Sequence, residues 1–249
     1  MASRIPTIFY HSIQANSPLF TFNSYHAILK IEAPTARGTA FLFVLNNNYP
    51  SQVRYALVTS NHIIASLDPS LLADTSCFSE ISGRTWCLRD MINIMDRHVL
   101  CPSDSLDFTF LELDRNFVGE MTRVGMKFLS SETPKENQPV LIAQFPGNSD
   151  AVCAQGKVKS IQNGGRVIHT VTTMQGSSGA PLINEQGRVV GIHQGELADR
   201  SNVAISINAV IDFIGVSPFS RMNTPSFHIE RMPVSFESDQ GMQLDFPPI

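Results

Sequence analysis

The chain has 249 residues, 43% of them hydrophobic and 16% charged, with a formal net charge of −4. That length and composition support a folded protein with an ample core, as one large domain or two small ones, and exclude a disordered chain. Lys and Arg are dispersed instead of gathered into a stripe, so nucleic acid is not an expected partner. No apolar run approaches the roughly 18–20 residues that span a bilayer.

Residues 1–25 mix Ile8, Phe9, Phe20 and Phe22 with Pro6 and Pro18 and read as an irregular arm. Apolar runs at 26–32 and 38–45, separated by Ala33-Pro34-Thr35-Ala36-Arg37, predict a hairpin followed by a turn at 46–52. Residues 55–65 predict a buried strand running into a short helical turn that carries His62. A lone histidine at a strand end is more often a structural hydrogen-bonding group than a base. Residues 67–90 hold Pro69, Asp74, Ser76, Ser79 and Gly83 and predict a long surface loop, with strands around Trp86-Cys87-Leu88 and over 92–100. Asp107 then stands where a polar loop enters the apolar strand Phe108-Thr109-Phe110-Leu111. A carboxylate that must reach an imidazole while staying shielded belongs in such a place. Asp104 and Asp114 are its competitors, and each could instead cap a turn.

Strand signals are few over 119–136, and 130–137 is a polar loop. Strands are predicted at 140–145, 151–162 and 166–172, the last two joined by the hairpin signal Asn163-Gly164-Gly165. Strands at 180–184, 188–193 and 203–207 follow, then a short closing helix at 208–214. Residues 217–249 carry Pro218, Pro225, Pro233, Pro247 and Pro248 without periodicity and read as a flexible or surface-wrapped tail. Phe219, Phe227, Phe236 and Phe246 in that tail either dock it or meet a partner.

Between two of these strands lies Met174-Gln175-Gly176-Ser177-Ser178-Gly179-Ala180-Pro181. A hydroxyl nucleophile needs an exposed position, backbone N–H groups aimed at the developing oxyanion, and no side chains crowding the carbonyl. Gly176 and Gly179 bracket the two serines and allow such a backbone. The run Gly-Ser-Ser-Gly-Ala-Pro resembles the Gly-x-Ser-Gly-x-Pro signature of chymotrypsin-like serine proteases, with Ser178 at the nucleophile position. The segment Val58-Thr59-Ser60-Asn61-His62 is similar to the one that carries the general base in that family. Leu106-Asp107-Phe108 resembles its Asp-hydrophobic pattern and selects Asp107 over its competitors.

The resemblance covers residues 26–216. It implies an all-β protein of two six-stranded antiparallel barrels, one at 26–120 carrying His62 and Asp107, the other at 121–216 carrying Ser178 and the S1 pocket. A short C-terminal helix and the tail at 217–249 complete it. It also implies a Ser178–His62–Asp107 triad, an oxyanion hole of the Gly176 and Ser178 N–H groups, and no cofactor or metal.

Ser177 replaces the Asp that precedes the nucleophile in the digestive and clotting branch, and no Arg-Ile-Val-Gly-Gly activation sequence is present. The likeness is closer to the glutamyl endopeptidase and high-temperature-requirement branches. Val189-Val190-Gly191-Ile192-His193-Gln194-Gly195 is similar to the Gly-Ile-His-x-Gly of glutamyl endopeptidases and picornaviral cysteine proteases, whose histidine helps bind a P1 Glu or Gln. Thr173 also matches the glutamyl branch, whereas Gln194 and Glu196 depart from it. The implied S1 set is Thr172, Thr173, His193, Gln194 and Gly195; the competing reading of His193 is a residue that only satisfies a barrel hydrogen bond.

The expected function is a serine endopeptidase acting through an acyl-enzyme with a Glu or Gln preference at P1. The alternative is a catalytically silent binding or regulatory module on the same fold. The expected partners are a protein or peptide substrate and a regulatory partner at the tail, with no nucleic acid or membrane. Cys77, Cys87, Cys101 and Cys153 show no Cys-x-x-Cys spacing and read as ordinary thiols. Ile63 follows His62 where secreted members commonly carry Cys, and the first residues lack a basic and apolar leader. A cytoplasmic location is therefore expected.

Overall fold

A computed structural model describes residues 24–46, 53–64, 72–92, 100–147, 150–197 and 201–216. The arm before residue 24, the turn after residue 46, most of the strand expected at 92–100, and the tail lie outside them. The expected hairpin forms as β1 (Ile28–Glu32) and β2 (Arg37–Asn46), in antiparallel register from Ile28 opposite Phe41 to Glu32 opposite Arg37. In β2, Phe41, Leu42 and Phe43 are all buried, because this strand lies between two others and is covered on both faces. β3 (Val53–Thr59) pairs with β2 and sinks into the core over its second half, from Ala56 to Thr59.

Residues 67–90 correct the loop expectation. They contain a second hairpin, β4 (Ser76–Ser79) and β5 (Arg84–Cys87), followed by a single helical turn, Leu88–Met91. Each strand has four residues; β4 buries only Cys77 and Ser79 and β5 only Trp86, so the apolar pattern is too sparse to stand out. β6 (Leu100–Ser103) and β7 (Phe108–Glu112) complete a seven-stranded sheet in the order β5-β4-β1-β2-β3-β7-β6. The first half thus has seven strands where six were expected; β5 overlaps the strand expected around Trp86-Cys87-Leu88, and β4 comes from the stretch read as loop.

A helix at Arg115–Arg123 also departs from expectation and contains the residue 120/121 boundary between the anticipated barrels. Its signals are local: Asp114 caps it by accepting from the N–H groups of Asn116 and Phe117, and Phe117 and Met121, four residues apart, form its buried stripe. The segment after it stitches the two halves. Val44 and Leu42 exchange backbone hydrogen bonds with Leu129, and Val189 exchanges them with Ser130 and Glu132.

The second half is a closed six-stranded barrel in the order β10-β13-β12-β11-β8-β9. Its strands are β8 (Pro139–Gln144), β9 (Val152–Ile161), β10 (Arg166–His169), β11 (Pro181–Asn184), β12 (Val189–Glu196) and β13 (Asn202–Ser206). Side chains alternate between its two faces. Leu182, Val190 and Ala204 fill the barrel interior, while Ile183, Val189 and Ile205 join the large cluster that also holds Phe41, Leu57 and Phe110 of the first half. The closing helix Ile207–Val216 buries Ile207, Val210 and Ile214 and sets Phe213 edge-on to Phe108, with ring centroids 5.5 Å apart. Cys77, Cys87 and Cys153 are free thiols. Among the described residues no helix is long and apolar enough to cross a membrane.

Candidate active site

His62 sits on a 3-10 turn, Asn61–Ile63, entered directly from β3. The turn is anchored by its buried first residue: Thr109 donates to the Asn61 side-chain oxygen (2.7 Å) and the Asn61 amide donates to Asp104 (2.6 Å). With Asn61 and Ile63 buried, His62 faces outward, its side chain 48% exposed. Asp107 ends the turn between β6 and β7 with a φ of 45°, in the left-handed region where Asp is among the few residues tolerated. Its carboxylate accepts from the His62 backbone N–H (3.0 Å) and lies 2.9 and 3.1 Å from the His62 Nδ1. An ionised carboxylate only accepts, so Nδ1 carries the hydrogen and Nε2 is left as the basic nitrogen. The hydrogen bond from Asp107, reinforced by its charge and opposed by burial, raises the His62 pKa above the ordinary histidine value. Asp104 and Asp114, the competitors of Asp107, are engaged elsewhere, on Asn61 and on the helix cap.

The nucleophile loop faces this turn across the seam between the two halves. Gly179 has a φ of 83°, and a Cβ there would run into the Thr39 carbonyl, the Thr59 hydroxyl and the Ser60 backbone, so Ser178 and His62 are carried on directly packed segments. The peptide carbonyls from Met174 to Ser178 are all paired, as are several of the N–H groups. The Ser177 N–H donates to Met174 (3.0 Å), Gly147 N–H to the Gln175 carbonyl (2.8 Å), and Ala180 N–H to Ser177 (3.0 Å). Thr39 N–H donates to Ser178 (2.9 Å), and Gly179 N–H to His193 (2.8 Å). Among the described residues, the N–H groups of Gln175, Gly176 and Ser178 have no acceptor. A peptide's N–H and C=O point in opposite directions, so pairing the Gln175 and Ser177 carbonyls aims the Gly176 and Ser178 N–H groups the other way. Ser177 is buried, and its hydroxyl closes the turn by bonding to Met174 on both sides. The Ser178 hydroxyl, half-buried, donates to the Gln194 carbonyl (3.3 Å).

Of the residues assigned to S1, the structure groups His193 with Thr173. His193 is buried, with its Nδ1 3.2 Å from Nε2 of His169, a residue the sequence reading missed. Thr173 donates to the Asn202 side-chain oxygen (2.6 Å), and the Asn202 amide donates to the Val171 carbonyl (2.8 Å). Asn202 stands opposite His169 between β10 and β13, which brings the two pairs together. Thr172 is exposed, its carbonyl accepting from Gln144. The Gln194 side chain turns away to the Leu106 carbonyl, beside Asp107. Gly195 borders open space, and Glu196 is exposed.

Burial leads in holding His193 down to about 4, with the charge of a protonated His62 acting in the same direction and a hydrogen bond to the Val203 backbone opposing. Burial, with His193 beside it, pushes His169 down to about 3. Both rings are therefore neutral near pH 7. His169 Nδ1 is buried without a partner. An unpaired lone pair is tolerated better than an unpaired N–H, so the hydrogen sits on His169 Nε2 and is donated to His193 Nδ1. His193 then carries its own hydrogen on Nε2.

The profile of the trypsin-like peptidase domain matches residues 38–192. A probable serine protease of Lysobacter enzymogenes is 23% identical over 201 residues, covering 80% of this chain and 29% of its own length. A glutamyl endopeptidase of Staphylococcus aureus is 27% identical over 114 residues, covering 45% of this chain and 33% of its own. The chain thus spans about a third of the length of these curated relatives. Among solved structures, an inactive form of Rv3671c from M. tuberculosis superimposes with a TM-score of 0.57 at 15% identity, covering 80% of this chain and 92% of that one. The serine endoprotease from Yersinia pestis gives 0.55 at 15% identity, covering 76% and 62%. These likenesses confirm the chymotrypsin-like fold, and the profile match spans more than half of the residues: the chain belongs to the trypsin-like peptidase domain family.

Proposed function

We propose that this chain is a serine endopeptidase in which Ser178 is the nucleophile, His62 the general base and Asp107 the group that fixes the imidazole. The observation that carries the reading is the His62–Asp107 contact at 2.9 Å, facing a loop whose Gly176 and Ser178 N–H groups have no acceptor among the described residues. His62 Nε2 takes the Ser178 proton as Oγ bonds to the scissile carbonyl, and the carbonyl π pair moves to oxygen, where the two N–H groups receive it. Collapse of that intermediate breaks the C–N bond as His62 returns the proton to the leaving amine; water then releases the acyl group by the same route. The Ser178 hydroxyl, which rests on the Gln194 carbonyl, turns to His62 in this mechanism, and such catalytic bonds commonly tighten once substrate is bound.

The P1 side chain best matched by the pocket residues is glutamine, with glutamate second. His193 offers a neutral Nε2–H donor, which a substrate oxygen would share with the Val203 backbone. Because the Val171 carbonyl requires the Asn202 amide, the Asn202 oxygen takes the Thr173 hydrogen and leaves the Thr173 oxygen as an acceptor. A carboxamide presents an oxygen to the first and an NH2 to the second, whereas a carboxylate meets the Thr173 lone pairs. Cleavage of a P1-diverse peptide library by the wild type, Ser178→Ala and His193→Ala tests both levels. Cleavage after Gln or Glu that is lost in Ser178→Ala and relaxes in His193→Ala is the expected result. Cleavage that survives Ser178→Ala sinks the mechanism, and a P1 preference indifferent to His193 sinks the pocket.

A further inference from the structure

Thr39 belongs to β2 in the first half of the chain, yet it is fully buried against the nucleophile loop of the second. Its hydroxyl donates to the Gly176 carbonyl (2.9 Å) and accepts from the Phe145 N–H (3.0 Å). Its backbone N–H donates to the Ser178 carbonyl (2.9 Å), and its own carbonyl accepts from the Thr59 hydroxyl (2.8 Å). Every polar group of this residue is engaged, and three of its four bonds run to the other half of the molecule.

The polarity of the hydroxyl is fixed at both ends. A carbonyl can only accept and an amide N–H can only donate, so the single hydroxyl hydrogen goes to Gly176 and a lone pair faces Phe145. Phe145 opens the segment that reaches Gly147, whose N–H holds the Gln175 carbonyl at 2.8 Å. That bond aims the Gly176 N–H, because the two groups share one rigid peptide plane. A Cβ on Gly176 would lie 2.5 Å from the Phe145 carbonyl and 2.9 Å from the Gly147 nitrogen, so the two segments touch with no room for slippage. The Thr39 hydroxyl is the side chain that bridges them.

We propose that Thr39 is a positioning residue for acyl transfer: its hydroxyl clamps the 145–147 segment to the nucleophile loop and thereby keeps the Gly176 N–H aimed at the developing oxyanion. The proposal rests on the protease reading above and adds to it a residue 139 positions away from the nucleophile in sequence. Thr39 touches neither the reacting carbonyl nor Ser178 Oγ, so it acts on the transition state only through the loop. Its loss therefore affects kcat and leaves KM alone.

Thr39→Val keeps the shape and apolar burial of the side chain and removes the bridge. The assay uses the full chain and a peptide taken from the cleavage library, with two inhibitors of the same sequence. A peptide aldehyde forms a hemiacetal on Ser178 and needs the oxyanion donors; the corresponding alcohol does not. We expect kcat and aldehyde affinity to fall together by about tenfold to a hundredfold, somewhat less than the loss of a direct oxyanion donor, with KM and alcohol affinity unchanged and Thr39→Ser restoring both. Wild-type kcat and aldehyde affinity in Thr39→Val overturn the proposal, as does a Thr39→Ser variant impaired as much as Thr39→Val. If Thr39→Val does not fold, Thr39→Ala carries the same comparison. A wild type that neither cleaves nor is labelled at Ser178 by a fluorophosphonate overturns the protease reading and this one with it; an active wild type beside an unimpaired Thr39→Val overturns this one alone.

Discussion

The buried pair His169–His193 makes a quantitative statement about acid stability. Both rings titrate well below the ordinary histidine value in the folded protein, at about 3 and about 4, because burial disfavours the charged form. In the unfolded chain each takes up a proton near pH 6.5. As pH falls below that value the unfolded state binds more protons than the folded one, so stability declines from about pH 6.5 down to the folded pKa values. At pH 5 each ring lowers stability by about 2 kcal/mol, a pair total of about 4, against a typical total of about 5–15. His62 acts with the opposite sign: its raised pKa gives a contribution present at low pH and lost as pH rises through the folded value. It is half exposed and acts equally in any variant of the pair, so it cancels in a comparison. Denaturant unfolding of the wild type and His169→Phe at pH 7 and pH 5 isolates one ring. The expected result is that the variant's loss between the two pH values is smaller than that of the wild type by about 2 kcal/mol. An equal loss in both proteins would refute the claim that His169 is held neutral by burial. Removing His169 also removes the donor that keeps the His193 hydrogen on Nε2, so the same variant should discriminate less well between P1 glutamine and other side chains.

Two further outcomes follow from the geometry. Asp107→Asn removes the acceptor that fixes the His62 tautomer and raises its pKa; kcat should fall by roughly 10⁴, and the acid limb of the kcat/KM profile, which lies above the ordinary histidine pKa in the wild type, should move to lower pH. A pH–rate profile on a cleaved peptide reads both, and an unmoved acid limb would contradict the assignment. Gly179→Ala combines a left-handed backbone with a collision against Thr39 and Thr59, and should lose about 2–5 kcal/mol together with fluorophosphonate labelling, whereas Gly195→Ala, which meets open space, should keep its thermal midpoint.

What could be read from the sequence was what is written contiguously. The loop from Met174 to Pro181 contains its own glycines and hydroxyls, and only two residues separate His62 from its strand, so the chemistry and the local structure share one window. Asp107 was singled out because it stands where a polar loop enters an apolar strand and Leu106-Asp107-Phe108 resembles the family's pattern, and the structure sets it against His62. His169 was not, because its neighbour His193 is 24 residues away and the contact exists only once β10 and β12 both flank β13 in the barrel. Thr39 was likewise opaque: a threonine in an apolar strand carries no sign of which loop its hydroxyl will meet. The strand Ser76–Ser79 was missed for a different reason, since four residues give a period-2 pattern too few repeats to stand out from loop composition. The helix Arg115–Arg123 was legible in principle, through the Asp114 cap and the Phe117–Met121 spacing, but its polar face and central Gly119 weakened the helical signal.

These long-range bonds also bear on where the activity resides. The nucleophile loop is covalently part of the barrel, but the carbonyls of Gly176 and Ser178 take their donors from Thr39, and the carbonyl of His193 takes a second donor from Ser60. A barrel detached from the first sheet would leave the Gly176 and Ser178 carbonyls without protein partners and expose the apolar faces of Ile183, Val189 and Ile205. Each lost bond at a buried carbonyl costs about 1–3 kcal/mol, and the loop would recover part of it by turning its peptides toward water. That rotation would re-aim the Gly176 and Ser178 N–H groups. The arrangement that aims the Gly176 and Ser178 N–H groups is thus a property of the docked halves, and it follows that the His62 turn and those N–H groups are set together, by the same packing.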